Sequence, residues 1–270
     1  MSSLDLLYGA ASPGATRDGT TAKSPRVTLV GAGPGDPGLL TRKGYDALQT
    51  ADVVFFDELV SPDIIDILPT NVRCIYVGKP NQSASISQAD ICQQLVSAAR
   101  GGLKVVRLKG GDPMIFGRTG EELDALRAAG VDVDIVPGIT SATGAAASTR
   151  ISLTHRDYAQ QVTFVTAARR EGELAEVRGL AGKGRTLVVY MGITRARALT
   201  DAFLSDGIDG ALPVAIVENA TRADERVIIT TVAELSIAVA HNDVRSPALF
   251  IVGDVVRTYA AADQAAAAEA

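Results

Sequence analysis

Two stretches of this chain combine glycine, an acid and proline in a way suited to holding a small ligand by the main chain. The first is Gly31-Ala32-Gly33-Pro34-Gly35-Asp36-Pro37 and the second is Lys109-Gly110-Gly111-Asp112-Pro113. Glycine lets a ligand approach backbone amides and carbonyls closely, and Pro34 stiffens the bend. The first stretch has the outline of the dinucleotide fingerprint GxGxxG, yet its third glycine position is Asp36. An acid there repels a pyrophosphate seated on a helix N-terminus. No GxxxxGK(S/T) phosphate loop occurs either. The loops describe a neutral or zwitterionic adenosine-bearing ligand, held by Gly110 and Gly111 with the backbone or carboxylate of Asp112. A local reading stands beside this one: Asp36 caps the following helix and Pro37 occupies its first position.

Both loops follow apolar runs. RVTLV from Arg26 and KVVRL from Lys104 read as buried strands, as do VVFF from Val53, CIYV from Cys74 and VDIV from Val133. Helical patterns lie between them, over 39–48, 88–100 and 121–129. Strands alternating with helices predict an α/β fold, and ligands bind beyond the carboxyl ends of strands in open sheets of this kind. After Pro137-Gly138 a small-residue stretch, TSATGAAAST, leads to a second set of strands starting at Val162, Arg185, Pro213, Arg226 and Pro247. Helices are expected over 195–204 and 232–240. The expected organisation is a flexible tail (1–24), two α/β domains (25–137 and 138–257) and an Ala-rich tail (258–270).

The chain has 26 basic and 31 acidic residues, a net charge of -5, which is a poor basis for nucleic-acid binding. Cys74 and Cys92 form no CxxC pair, and His155 and His241 are the only histidines, so no metal site is expected. No apolar run reaches the roughly 18 residues of a membrane helix. No basic segment precedes the apolar residues 4–8, so a cytoplasmic protein without a secretory signal is expected.

Nine motifs then fall in order: GAGPGDP (31–37), DELVSP (57–62), YVGK (76–79), RLKGGDPxIFGRxGEE (107–122), VPGITSA (136–142), LTHRDYA (153–159), YMG (190–192), VAIVEN (214–219) and SPALxIVGDVV (246–256). Over about residues 26–256 the chain resembles the uroporphyrinogen-III C-methyltransferases among the tetrapyrrole methylases. The resemblance implies a two-domain fold, with mixed sheets, flanking helices and a ligand cleft between domains, usually as a homodimer. It implies two transfers of methyl from S-adenosyl-L-methionine to ring carbons of uroporphyrinogen III, giving precorrin-2 and S-adenosyl-L-homocysteine, on the way to sirohaem or cobalamin. Carried over by position, it assigns cofactor contacts to Pro34, Gly110, Gly111, Asp112, Ile115, Thr140, Ser141, Met191 and Ala220, the last usually glycine in the family. Asp57 and Lys79 match a proton acceptor and donor. Arg118, Glu121 and Arg156 match positions that handle substrate.

Such a substrate is a polyanion, and arginine suits carboxylates. Arg107, Lys109, Arg118, Arg150 and Arg156 together read as an anion funnel, although any one of them alone reads as a solvated cation. Arginine is a poor base, so Arg118 is given a positioning role. Asp57, after an apolar strand, reads as a base of raised pKa or as a partner in a loop ion pair. His155 beside Arg156 reads as a substrate contact or as a packed structural histidine. Three stretches depart from the family pattern: residues 80–84, 148–152 and 167–168. Arg150 is expected to bind a substrate carboxylate in place of the basic loop that the family has at 80–84. These departures keep two alternatives open, a related methylase of another tetrapyrrole and a catalytically weak cofactor-binding homologue. A fold relative that methylates RNA or a translation factor fits the acidic charge balance less well. At this length only the methyltransferase is expected, with partner enzymes on other chains.

Overall fold

The computed structural model describes residues 24–78, 87–167 and 173–259. Lys79, residues 80–84, residues 168–170 and most of the two tails (1–23 and 260–270) lie outside the described residues. Five strands, β1 (Arg26–Gly31), β2 (Val53–Phe56), β3 (Arg73–Tyr76), β4 (Val105–Lys109) and β5 (Asp132–Val136), form one sheet in the order β3-β2-β4-β1-β5. Every pairing in it is parallel, as strands alternating with helices imply.

A parallel sheet is covered on both faces, which is why its strands are nearly continuous in Val, Leu and Phe. Val27, Leu29, Val53, Phe55 and Val105 share one face with Leu95 of α3 (Gln88–Arg100) and Leu126 of α4 (Thr119–Ala128). Val30, Val54, Val106 and Leu108 share the other with Leu48 of α1 (Arg42–Gln49) and Ile64 of α2 (Pro62–Asp66). The alternation along β4 has a consequence for the site: Arg107 and Lys109 fall on the face of Val105, beneath α3 and α4. Helix α3 starts at a reciprocal Ser87–Asp90 capping box, which fixes where Gln88 enters that layer.

The second sheet contains β6 (Ala159–Thr166), β7 (Gly184–Tyr190), β8 (Pro213–Glu218), β9 (Arg226–Thr231) and β10 (Ala248–Val252), in the order β6-β7-β10-β8-β9. It is mixed, since β6 and β7 run parallel and the other pairs antiparallel. One face packs on α6 (Ala196–Ser205) and α7 (Leu235–His241) through Leu199, Phe203 and Leu235. The other face packs on a helix where only a small-residue connection was expected, α5 (Ser141–Thr149). Its Ala142 and Ala145 meet Val188, Ala215 and Ile251. Pattern reading misses α5 because it lacks a large apolar stripe. Its residues are small for a steric reason: a Cβ on Gly144 would stand 2.5 Å from Cγ of Pro34. No helix among the described residues is long and apolar enough to cross a membrane.

Candidate active site

Because all five strands of the first sheet are parallel, their carboxyl ends share one edge, and both glycine loops lie there. They are stitched together. Ala32 donates to the Lys109 carbonyl at 2.8 Å, and Gly33 and Gly111 exchange backbone hydrogen bonds of 3.1 and 2.8 Å. The loop after β5 joins them. A Cβ on Gly31 would meet the Gly138 nitrogen at 2.5 Å and the Gly111 carbonyl at 2.7 Å, so three main chains cross where no side chain fits. Asp112 completes the junction by accepting from the Met114 amide at 2.8 Å and the Gly138 amide at 3.0 Å. Its carboxylate is committed to the loops, which leaves its backbone for a ligand. Asp36 is the expected cap, accepting from Gly38 at 2.7 Å with Pro37 at the first position of a short 3₁₀ turn.

Above this junction is a cavity of about 380 Å³. Pro34, Gly110, Gly111, Asp112 and Ile115 line it from the first sheet, with Thr140 and Ser141 at the start of α5. Met191 and Ala220 close it from the second sheet. All nine expected cofactor contacts therefore share one cavity. Ala220 is not among the residues with positive φ, although its neighbours Asn219 (φ 52°) and Thr221 (φ 67°) are, so alanine fits where the family has glycine. Phe116, Arg118 and Met191 line the same cavity with φ of 52–54°, a left-handed backbone that costs energy in any residue but glycine.

The two sheets are tied across the cavity by side chains the sequence did not single out. The Tyr190 hydroxyl lies 2.7 Å from Thr140 Oγ1 and accepts from the Ala142 amide at 3.1 Å. Burial pushes its pKa up. Its ring stands 5.0 Å from Phe116 and 5.9 Å from Phe164, between centroids. Arg222 Nη2 donates to the Leu59 carbonyl at 2.9 Å, and the Asp36 amide donates to Thr221 Oγ1 at 3.2 Å. Tyr190 lies in the YMG motif and Arg222 just past VAIVEN, yet no local signal marks either as bridging two sheets.

Asp57 lines the cavity at the end of β2 as part of an ion pair, with Arg107 Nη2 2.8 Å from its Oδ2. Arg107 and Lys109 of the expected funnel line the cavity as well, with their charges paired inside the protein. Their side chains are 4% and 6% exposed, and both pair with the fully buried Glu122, Lys109 Nζ at 3.0 Å and Arg107 Nε at 3.3 Å from Oε1. Burial, and then the charge of Arg107, lower the Lys109 pKa. Arg118 lines the cavity and is exposed, with two hydrogen bonds to Glu121 of 3.0 and 2.8 Å that push its already high pKa up.

Glu121, Arg150, His155 and Arg156 do not line this cavity. Arg150 is exposed at the C-cap of α5, with φ 58°. His155 and Arg156 belong to a turn closed by hydrogen bonds between His155 and Ala159, of 2.8 and 2.9 Å. The His155 ring packs on Tyr158, and its Nδ1 accepts from the Asp157 amide at 3.1 Å.

Comparison with known proteins identifies the family. The family of Tetrapyrrole (Corrin/Porphyrin) Methylases matches residues 26–236. Siroheme synthase 1 of Yersinia enterocolitica is 46% identical over 240 residues, 88% of this chain and 50% of that protein. The chain thus spans about half the length of the curated relatives it matches. Uroporphyrin-III C-methyl transferase of Thermus thermophilus, solved in complex with S-adenyl homocysteine, superposes with a TM-score of 0.75 at 40% identity, over 86% of this chain and 99% of that one. A cobalt precorrin-4 methyltransferase superposes at 0.76 with 30% identity, over 88% and 99%. By sequence and by structure, this chain belongs to the tetrapyrrole methylase family.

Proposed function

We propose that the protein is an S-adenosylmethionine-dependent C-methyltransferase that converts uroporphyrinogen III to precorrin-2 by two successive methyl transfers, as a cytoplasmic homodimer. One observation carries this reading: a glycine-lined cradle and a carboxylate held by a buried arginine face the same cavity. The residues fit the cosubstrate. Gly110 and Gly111 offer backbone without side chains, and a Cβ on Gly110 would stand 2.7 Å from Leu59 Cβ. Ile115 and Met191 supply apolar contact, and no phosphate-binding motif competes.

When bound, S-adenosylmethionine supplies an electrophilic methyl that passes to a ring carbon as the carbon–sulfur bond breaks, its electron pair staying on sulfur. The protein orients the two reactants, a contribution worth up to about 7–11 kcal/mol. The positive charge gained by the substrate leaves as a proton, and Asp57 is the carboxylate on the cavity wall placed to accept it. Arg118, on the same wall, meets the negative rim of the substrate.

The test is anaerobic incubation with S-adenosylmethionine and uroporphyrinogen III, followed by product mass. Gain of two methyl groups is expected, and Asp57→Asn is expected to lower kcat by about 10²–10⁴ with cofactor affinity within about threefold. Cofactor binding without methyl transfer to this porphyrinogen would refute the assignment.

A further inference from the structure

Four charged side chains are packed at one end of the cavity. Glu122 is 0% exposed and off the cavity wall, whereas Arg107 at 4%, Lys109 at 6% and Asp57 at 23% all line it. Oε1 of Glu122 accepts from Lys109, Arg107 and Gln88, the last at 3.1 Å. Oε2 is buried with no partner among the described residues. Two cations and two anions cancel, so the cluster is neutral. A neutral buried cluster with an unpaired oxygen is a poor source of stability, because apolar groups of the same volume serve as well or better. Groups of this kind gather where a charged side chain must be held for chemistry.

The geometry of Arg107 shows what is held. Its Nε is engaged by Glu122 and its Nη1 by the Leu108 carbonyl at 2.9 Å, which leaves Nη2 turned toward Asp57 at 2.8 Å. A planar guanidinium gripped on two edges has its third edge fixed. Among the described residues, the other oxygen of Asp57 accepts from the Leu59 amide, at 3.2 Å.

We infer that Glu122 is a positioning residue: through Arg107 it sets the Asp57 carboxylate against the cavity, while Lys109 balances its charge. The second acid of the GEE motif thus serves the reaction from α4, in the layer between helix and sheet, and the first, Glu121, serves by pairing with Arg118. The inference rests on the role proposed above for Asp57.

The experiment uses Glu122→Gln and the charge-balanced pair Lys109→Met/Glu122→Leu, which remains informative if the single variant does not fold. Each is made with and without Asp57→Asn. Crystal structures report the Arg107–Asp57 separation, and turnover uses S-adenosylmethionine and uroporphyrinogen III. The double variant is expected to break the 2.8 Å ion pair and to lower kcat by about 10–100-fold, as removing a supporting hydrogen-bond partner does, with KM changed less than about threefold. Glu122→Gln, which keeps an acceptor for Arg107, is expected to retain more of the rate than the double variant. In the Asp57→Asn background the Glu122 substitutions should cost nothing further, which a purely structural role would not produce. An unmoved Arg107–Asp57 pair, or rate losses that multiply with Asp57→Asn, would overturn the inference. Turnover by the unaltered protein reports separately on the assigned activity. If that turnover is absent, the crystal structures still decide the positioning.

Discussion

Replacing Gly31 by alanine is expected to damage the protein more than any other glycine-to-alanine change tested beside it. An added Cβ would lie 2.5 and 2.6 Å from the Gly138 nitrogen and Cα and 2.7 Å from the Gly111 carbonyl. All three are backbone atoms of loops already hydrogen-bonded to one another, so none can turn away as a side chain would. Overpacking of this kind costs about 1–3 kcal/mol. Prying the loops apart also weakens the Gly33–Gly111 pair of hydrogen bonds, each worth about 0.5–1.5 kcal/mol. A total near 3 kcal/mol corresponds to a Tm lowered by about 6–12 °C in a protein of this size. Two controls set the scale. Gly33→Ala has room, its nearest neighbour being 3.6 Å away, but sits at φ +77°, so it should cost only the left-handed penalty of about 1–2 kcal/mol. Gly120→Ala, in α4 with nothing within 4 Å, should stabilise by up to about 1 kcal/mol. Thermal unfolding of the three variants, with calorimetric titration of S-adenosylmethionine, checks the order. If Gly31→Ala melts no lower than Gly33→Ala and binds the cofactor normally, the crossing of three main chains is not what makes glycine necessary there.

Two other substitutions probe the charges. Lys109 has its pKa lowered below the ordinary 10.5, by burial first and by Arg107 second. The unfolded chain therefore binds this proton more tightly than the folded one, and stability contributed through Lys109 rises with pH from the lowered value up to 10.5. Urea unfolding from about pH 8 to about pH 10 should show the protein gaining on Lys109→Met as pH rises; a constant difference would refute the shift. Asp112→Asn removes the charge that anchors the Met114 and Gly138 amides. It should cost about 1–3 kcal/mol and weaken cofactor binding, because Gly110 and Gly111 lose their brace. Calorimetry that finds unchanged affinity would show that the carboxylate is not needed to shape the cradle.

Much of this protein is set by local chemistry and was readable from the residues. The β-branched and apolar runs specify the strands, since a sheet covered on both faces demands them. Asp36-Pro37 specifies a turn start by satisfying a free amide. The glycine, acid and proline loops mark the carboxyl edge of a parallel sheet, because only there must main chain approach main chain without side chains between. Family resemblance grouped nine cofactor contacts, and the fold brings all nine to one cavity.

Other features depend on contacts between residues far apart in the chain. Helix α5 has no apolar stripe, so only its packing against Pro34 and the second sheet reveals it. Arg107 and Lys109 look like surface cations in sequence. Burial beneath α3 and α4 turns them inward to Glu122, because a buried charge is tolerable only beside its opposite. Tyr190 lies in the YMG motif and Arg222 just outside VAIVEN, but their importance comes from reaching loops of the other sheet, at Phe116 and Leu59. Composition and periodicity act over a few residues and so determine elements and edges. Pairing of buried charges, and ties across a cavity, depend on the distance between groups separated by up to 185 residues, and only the folded chain sets that distance.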